Sequence, residues 1–228
     1  MCNHSLRERH MLKYSERVID GLEIPEPFPE FASHAYPKSL SPIIVDEAGR
    51  RTMPLHRWGV SCIVRGKQAL ATNARDDRLL KIDLWKQSVA SRRCLIPVVG
   101  YFEPGPGPEG ARGELFFTLR NRPVFFIAGL WQPEPDGTRA YAMVTTSPNE
   151  YTTPLHDRQP VILSDDDAKT WLGFQALTDD RVHALTRPPP NEVMMHEVIA
   201  AVPREKKPEK TNHKETKSEA GETQEMLF

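Results

Sequence analysis

Val124-Phe-Phe-Ile-Ala-Gly-Leu-Trp131 and, after a break, Tyr141-Ala-Met-Val-Thr-Thr146 decide the fold class of this chain. Both runs are rich in the β-branched and aromatic side chains that suit a pleated surface. The break between them, Pro133-Glu-Pro-Asp-Gly137, is turn chemistry and predicts a loop. Cys94-Leu-Ile-Pro-Val-Val99 and Leu115-Phe-Phe-Thr-Leu119 read as two further strands, with a loop predicted at Pro104-Gly-Pro-Gly-Pro108. Val193 to Val198 reads as a closing strand, and Ile43 to Trp58, turning at Glu47-Ala-Gly-Arg50, as a hairpin.

Helical signals lie outside this block. Apolar spacing predicts a surface helix from Leu6 to Leu22, ended by Gly21, and a second helix from Arg78 to Val89. Ser164 followed by three aspartates sets a capping hydroxyl and negative charge at the start of a third, expected to run through Trp171 and Phe174. Short strands outnumber helices and do not alternate with them. The expectation is an α+β fold, a single compact domain around a mainly antiparallel, barrel-like β-sheet with peripheral helices. That domain is expected to span residues 1–202. The composition changes at about Pro203: Arg204 to Thr223 is almost without apolar residues and carries interleaved charges, before the last five residues turn apolar, so residues 203–228 are expected to be a disordered tail.

Composition excludes several classes. The 228 residues are 39% hydrophobic and 27% charged, with a formal net charge of −1, so no global field favours nucleic acid or an anionic membrane. Any phosphate contact must come from a local patch. No apolar run approaches the roughly 18–20 residues of a membrane span, and the start, MCNHSLRERH, lacks a signal-peptide core. A cytoplasmic protein without membrane contact is expected. Three separated cysteines without a C-x-x-C argue against a disulfide framework, and eight histidines without ligand spacing give little support for a metal. No cofactor is expected.

Cys2 is the position richest in chemistry. Removal of Met1 would leave a thiol and an α-amine on one residue, a 1,2-aminothiol able to capture an aldehyde as a Schiff base and then as a thiazolidine. Three further segments stand out: Thr72-Asn-Ala-Arg75, Gly100-Tyr-Phe-Glu103 and Leu155-His-Asp-Arg-Gln-Pro160. Singly each has a plain explanation: a helix cap, a solvated strand end, an ordinary turn.

Together with Trp58-Gly59, Arg93-Cys-Leu-Ile-Pro97, Ala128-Gly-Leu-Trp131 and Thr145-Thr146, in this order, they resemble the SRAP (SOS response-associated peptidase) family, whose members process abasic sites in single-stranded DNA. The resemblance runs from Cys2 to about Ile199. It implies a catalytic set of Cys2, Asn73, Glu103 and His156, with Glu103 and His156 moving protons and Asn73 fixing an orientation. Single-stranded DNA with abasic sites is the implied partner, contacted by Arg75 and Arg158 at the edge of the site. Trp58 reads equally as a stacking platform for a base or as a core tryptophan before a tight turn. The implied product is a covalent DNA–protein crosslink, with lyase chemistry available from the same imine.

Two positions depart from the family pattern. Asn3-His4 stands where Gly-Arg commonly follows the nucleophile, leaving Arg7 or Arg9 as substitutes for a phosphate-binding arginine. Pro104 stands where a tryptophan usually follows the glutamate. At the other end, Gln224-Glu-Met-Leu-Phe228 resembles a bacterial sliding-clamp-binding peptide, with Gln224, Leu227 and Phe228 as its contacts. A monomer is expected. Two other readings stay open: a peptidase using Cys2 as an N-terminal nucleophile, with self-removal of Met1 as its least activity, and a non-enzymatic clamp-recruited binding module.

Overall fold

The computed structural model describes residues 2–107 and 112–200. The expected tail and its Gln224–Phe228 peptide lie outside the described residues. The fold is α+β, 42% strand and 20% helix, with a curled half-barrel sheet.

Two sheets share the strand-rich centre. One runs in the order Met194–Ala200, Arg112–Leu119, Gly100–Pro106, Ser5–Leu6, His34–Ala35, antiparallel throughout. The larger has Arg93–Val98, Phe125–Pro133 and Arg139–Thr146 at its centre, with Ile44–Glu47 and Leu55–Trp58 on either side. It is mainly antiparallel, but Leu55–Trp58 and the short strand Asn73–Arg75 both pair parallel to Arg139–Thr146. The chain passes from one sheet to the other at Val99, whose N–H donates to Leu6 O. Gly100 is required at this corner. A Cβ there would stand 2.3 Å from the Phe116 ring and 2.7 Å from Phe117 O. The two sheets enclose one apolar cluster containing Cys2, Trp58, Tyr101 and Phe117. A second, around Trp85, Trp171 and Phe126, packs the helices Asp83–Ser91 and Asp165–Leu172.

Several expectations are corrected. The first helix is shorter than its apolar spacing suggested, His10–Val18, because Ser5–Leu6 is a strand pairing on both edges. The second begins at Asp83, after a 3₁₀ turn at Asp76–Arg78. The third ends at Leu172, leaving Phe174 exposed. The Ile43–Trp58 segment does make a hairpin, Ile44–Glu47 with Arg50–Thr52, and Ala48 and Gly49 both take the positive φ that such two-residue turns demand. Leu55–Trp58 pairs elsewhere.

Most consequential, Pro104 and Pro106 are strand residues, paired with Glu114 and Arg112. Phe102 N–H donates to His4 O, so the backbone nitrogens two and four residues on face the same edge. Past His4 no described strand lies along that edge, and a proline's missing N–H costs no ladder bond there. The Pro-Gly repeat therefore extends the strand that carries Glu103. A hairpin that local sequence did not single out, Val60–Val64 with Lys67–Ala71, springs from the segment between Gly59 and Thr72.

Candidate active site around Cys2

The amino-terminal segment carries Cys2 into the protein. The His4 ring is stacked between Phe102 and Tyr36, with centroids 3.9 and 4.3 Å away, and its Nε2 lies 2.8 Å from His34 Nδ1. Its Nδ1 is 3.3 Å from Glu114 Oε1. This clamp, with the Phe102 N–H bond to His4 O, fixes Cys2 beside the Glu103 strand. Cys2 is 1% exposed, and its Sγ lies 3.5 Å from His4 O. Burial, and after it the negative charge of Glu103, push the thiol well above its ordinary range. The resting sulfur is a protonated thiol.

Asn73 begins the strand that pairs parallel with Arg139–Thr146. Its Nδ2 donates to Cys2 O at 3.1 Å and to Thr72 Oγ1 at 3.0 Å. Glu103 is buried, and burial pushes its carboxyl up to about 7. Its Oε2 lies 3.5 Å from His156 Nε2. Burial lowers the His156 pKa, so the ring is neutral. Its Nδ1 accepts from Arg158 N–H at 3.1 Å, which places the ring proton on Nε2, directed at Glu103. The exposed Asp157 carboxylate lies 2.9 Å from the same Nδ1 and is the acceptor for the other ring tautomer. The structure thus brings Cys2, Asn73, Glu103 and His156 into one site: a backbone-anchored amide, a thiol, and a carboxyl–imidazole pair set for proton transfer near neutrality. Among the described residues no group of three or more His, Cys, Asp or Glu side chains could hold a metal ion.

The expected DNA contacts fare differently. Trp58 is 0% exposed, and its Nε1 donates to Thr72 O at 2.9 Å. It is a core tryptophan, not a stacking platform. Arg158 is largely buried. Its guanidinium donates to Asp76 Oδ1 and Thr145 O, both at 2.6 Å, while Asp76 Oδ2 accepts from Thr146 Oγ1. It locks the His156 loop to the sheet and is not a free phosphate contact. Arg75 is half exposed in an ion pair with Asp77. Arg7 is wholly buried, donating to Pro42 O and Tyr141 Oη, so it cannot substitute for the missing arginine. Arg9 is exposed and paired with Glu30. Sequence reasoning missed His4 as an anchor and Asp76 as the mooring of Arg158. Asp76 follows Asn73-Ala-Arg75 directly, which was the available signal.

Such a site, a second-residue cysteine met by Asn, Glu and His within one α+β domain, defines a class. The family model described as "SOS response associated peptidase (SRAP)" matches residues 1–205, and the chain belongs to the SRAP family. The chain is 28% identical over 183 residues to "Abasic site processing protein YoqW" of Bacillus subtilis, covering 75% of this chain and 81% of that one. It is 25% identical over 182 residues to "Abasic site processing protein YoaM" of the same organism, covering 75% and 80%. A solved structure from Bacteroides thetaiotaomicron superposes with a TM-score of 0.71 at 21% identity, covering 87% of this chain and 92% of that one. Another, from Bordetella bronchiseptica, gives 0.68 at 20%, covering 87% and 99%. These two likenesses establish the fold.

Proposed function

We propose that the protein processes abasic sites in single-stranded DNA, crosslinking itself to them through Cys2 once Met1 has been removed. The observation that carries this reading is the buried thiol held beside a carboxyl of pKa about 7 and an imidazole N–H. The names of the B. subtilis relatives point the same way.

The chemistry is ordered by the pKa directions. The ring-opened abasic sugar offers an aldehyde at C1′. The thiol is held protonated, so the α-amine, with an ordinary pKa of about 7.7–8.0, attacks first and forms a carbinolamine. Protonated Glu103 gives its proton to the carbinolamine hydroxyl, which leaves as water; the iminium N–H proton then returns to the Glu103 carboxylate, and a neutral imine remains. The Cys2 S–H then adds across the C=N bond, sulfur to carbon and proton to nitrogen, closing the thiazolidine with loss of one water overall. Asn73 orients the reacting groups and His156 Nε2–H steadies the Glu103 carboxylate between transfers. The same imine is the branch point for β-elimination of the 3′ phosphate.

Strand contact is assigned to the hairpin that leads into Asn73 and to Arg75. The hairpin tip carries exposed Ile63 and Val64 with Arg65 and Lys67, apolar faces for bases and cations for phosphates. The exposed Arg75–Asp77 pair can exchange its carboxylate for a phosphate. Docking of Gln224–Phe228 on a sliding clamp belongs to the same reading.

The test is a denaturing gel and intact-mass measurement of the Met1-free protein with an abasic single-stranded oligonucleotide. A heat-stable adduct one water lighter than its components, absent with intact DNA and lost in Cys2→Ala, is the expected result. A stable adduct that survives Cys2→Ala overturns it.

A further inference from the structure

We infer that Thr72 and Asn3 are positioning residues that lock the Asn73 side-chain amide in one sense, with Oδ1 turned toward the reacting groups; the inference deepens the abasic-site reading and rests on it. A carboxamide is nearly the same shape when flipped, so its partners alone decide which end faces the chemistry. Three oxygens surround Asn73 Nδ2: Cys2 O at 3.1 Å, Thr72 Oγ1 at 3.0 Å and Asn3 Oδ1 at 3.4 Å. Cys2 O can only accept and so already calls for the NH2 end; the threonine hydroxyl is both donor and acceptor, and adds to the lock only while its own proton is engaged elsewhere. Its single proton goes to Asn3 Oδ1 at 2.9 Å, so only its lone pairs face the amide. Flipping Asn73 would then set its Oδ1 against these acceptor oxygens.

The relay stands on fixed ground. Thr72 O accepts from both Trp58 Nε1 at 2.9 Å and Met143 N at 3.1 Å, which holds the Thr72 backbone from two sides. At the other end of the amide, Asn73 Oδ1 is buried and finds no hydrogen-bond partner among the described residues. A buried acceptor left unmet is costly, and the cost is relieved when a donor arrives. The reacting amine N–H and the sugar hydroxyl are donors of the right kind. Asn3 departs from the family's glycine, and its side chain takes up the Thr72 proton that would otherwise be free to serve the Oδ1 of a flipped Asn73.

Thr72→Val removes the hydroxyl at nearly constant volume and Thr72→Ser restores it. Single-turnover adduct formation with an abasic oligonucleotide should slow about tenfold in Thr72→Val, with half-saturating DNA unchanged, and recover in Thr72→Ser. Asn3→Ala, at an exposed position, should slow it similarly. The double variant should lose no more than either single, because the two act as one unit. Side-chain NMR gives a readout apart from activity: the Asn73 amide protons should be protected from exchange in the wild type and Thr72→Ser, and lose protection in Thr72→Val. Wild-type rate with retained protection overturns the inference, as does a loss confined to half-saturation. Should Thr72→Val fail to fold, Asn3→Ala decides by the same two measurements. A wild type that forms no adduct sinks the abasic-site reading, while amide protection still decides the Thr72–Asn3 relay.

Discussion

Glu103 Oε2 and His156 Nε2 face each other across 3.5 Å, and burial moves their pKa values in opposite directions: the carboxyl up from 4.5 to about 7, the imidazole down. The folded protein therefore holds the Glu103 proton over a range in which the unfolded chain has released it. Stability attached to that proton is fully present below about pH 4.5 and is lost as the pH rises to about 7, on the order of 3 kcal/mol in all. Glu103→Gln, which cannot ionise, should remove this fall from the stability–pH curve, leaving the opposite rise with pH that the lowered His156 pKa contributes, and raise the melting temperature at pH 7.5. The same variant should slow adduct formation about 100-fold or more and abolish the inflection near pH 7 in the rate. Urea melts at several pH values check the first half. A fall in stability with rising pH that persists in Glu103→Gln would assign this pH dependence to another group.

In the proposed mechanism Cys2 supplies two functions that one substitution can separate. Cys2→Ser keeps the α-amine and loses the sulfur. The imine should still form and be trapped by borohydride, yet the heat-stable adduct should fall about 100-fold, because no thiazolidine can close. Since the imine persists, strand cleavage by β-elimination should rise. Denaturing gels with and without borohydride read all three species. A heat-stable adduct at wild-type yield would mean that the sulfur is not the trapping atom.

The candidate quartet was legible in sequence because it is carried by short motifs in fixed order, and the structure gathers Asn73, Glu103 and His156 around Cys2. The strand block was legible too, since β-branched and aromatic runs dominate residues 94–146. What escaped depends on pairing partners that local sequence does not show. Pro104 and Pro106 read as loop residues until Phe102 N–H fixes which edge their nitrogens face. Trp58, Arg7 and Arg158 carry the side chains expected of DNA contacts, yet each is used inward, on Thr72 O, Tyr141 Oη and Asp76. Whether such a side chain faces solvent or core is set by tertiary contacts across 14 to 134 residues.

The inward use of Trp58 separates stability from affinity. Trp58→Phe loses the hydrogen bond to Thr72 O and part of a fully buried volume, which should cost about 1–3 kcal/mol. The half-saturating concentration of single-stranded DNA should stay unchanged. Gly100→Ala should cost a similar 1–3 kcal/mol by overpacking, because Phe117 O at 2.7 Å is backbone and cannot swing away. Chemical denaturation and fluorescence anisotropy measure the two quantities independently. A loss of affinity in Trp58→Phe without loss of stability would restore the stacking role.

Affinity should instead reside in the hairpin tip. Ile63 is 68% and Val64 54% exposed, and no folding argument accounts for two such side chains held out beside a strand that leads to Asn73. Replacing both with serine should lower affinity for single-stranded DNA about tenfold, by removing the apolar face against which bases rest. Thermal stability should not move, since neither side chain packs in either core cluster. Because no charge is lost, the dependence of log affinity on log salt should keep its slope. Arg75→Gln should do the reverse, costing affinity mainly at low salt and reducing the slope by about 0.7, the single-strand value for one phosphate contact. Anisotropy titrations from 50 to about 200 mM salt distinguish the two variants. An unchanged affinity in the serine variant would mean that the tip acts through its cations, Arg65 and Lys67, and not through Ile63 and Val64.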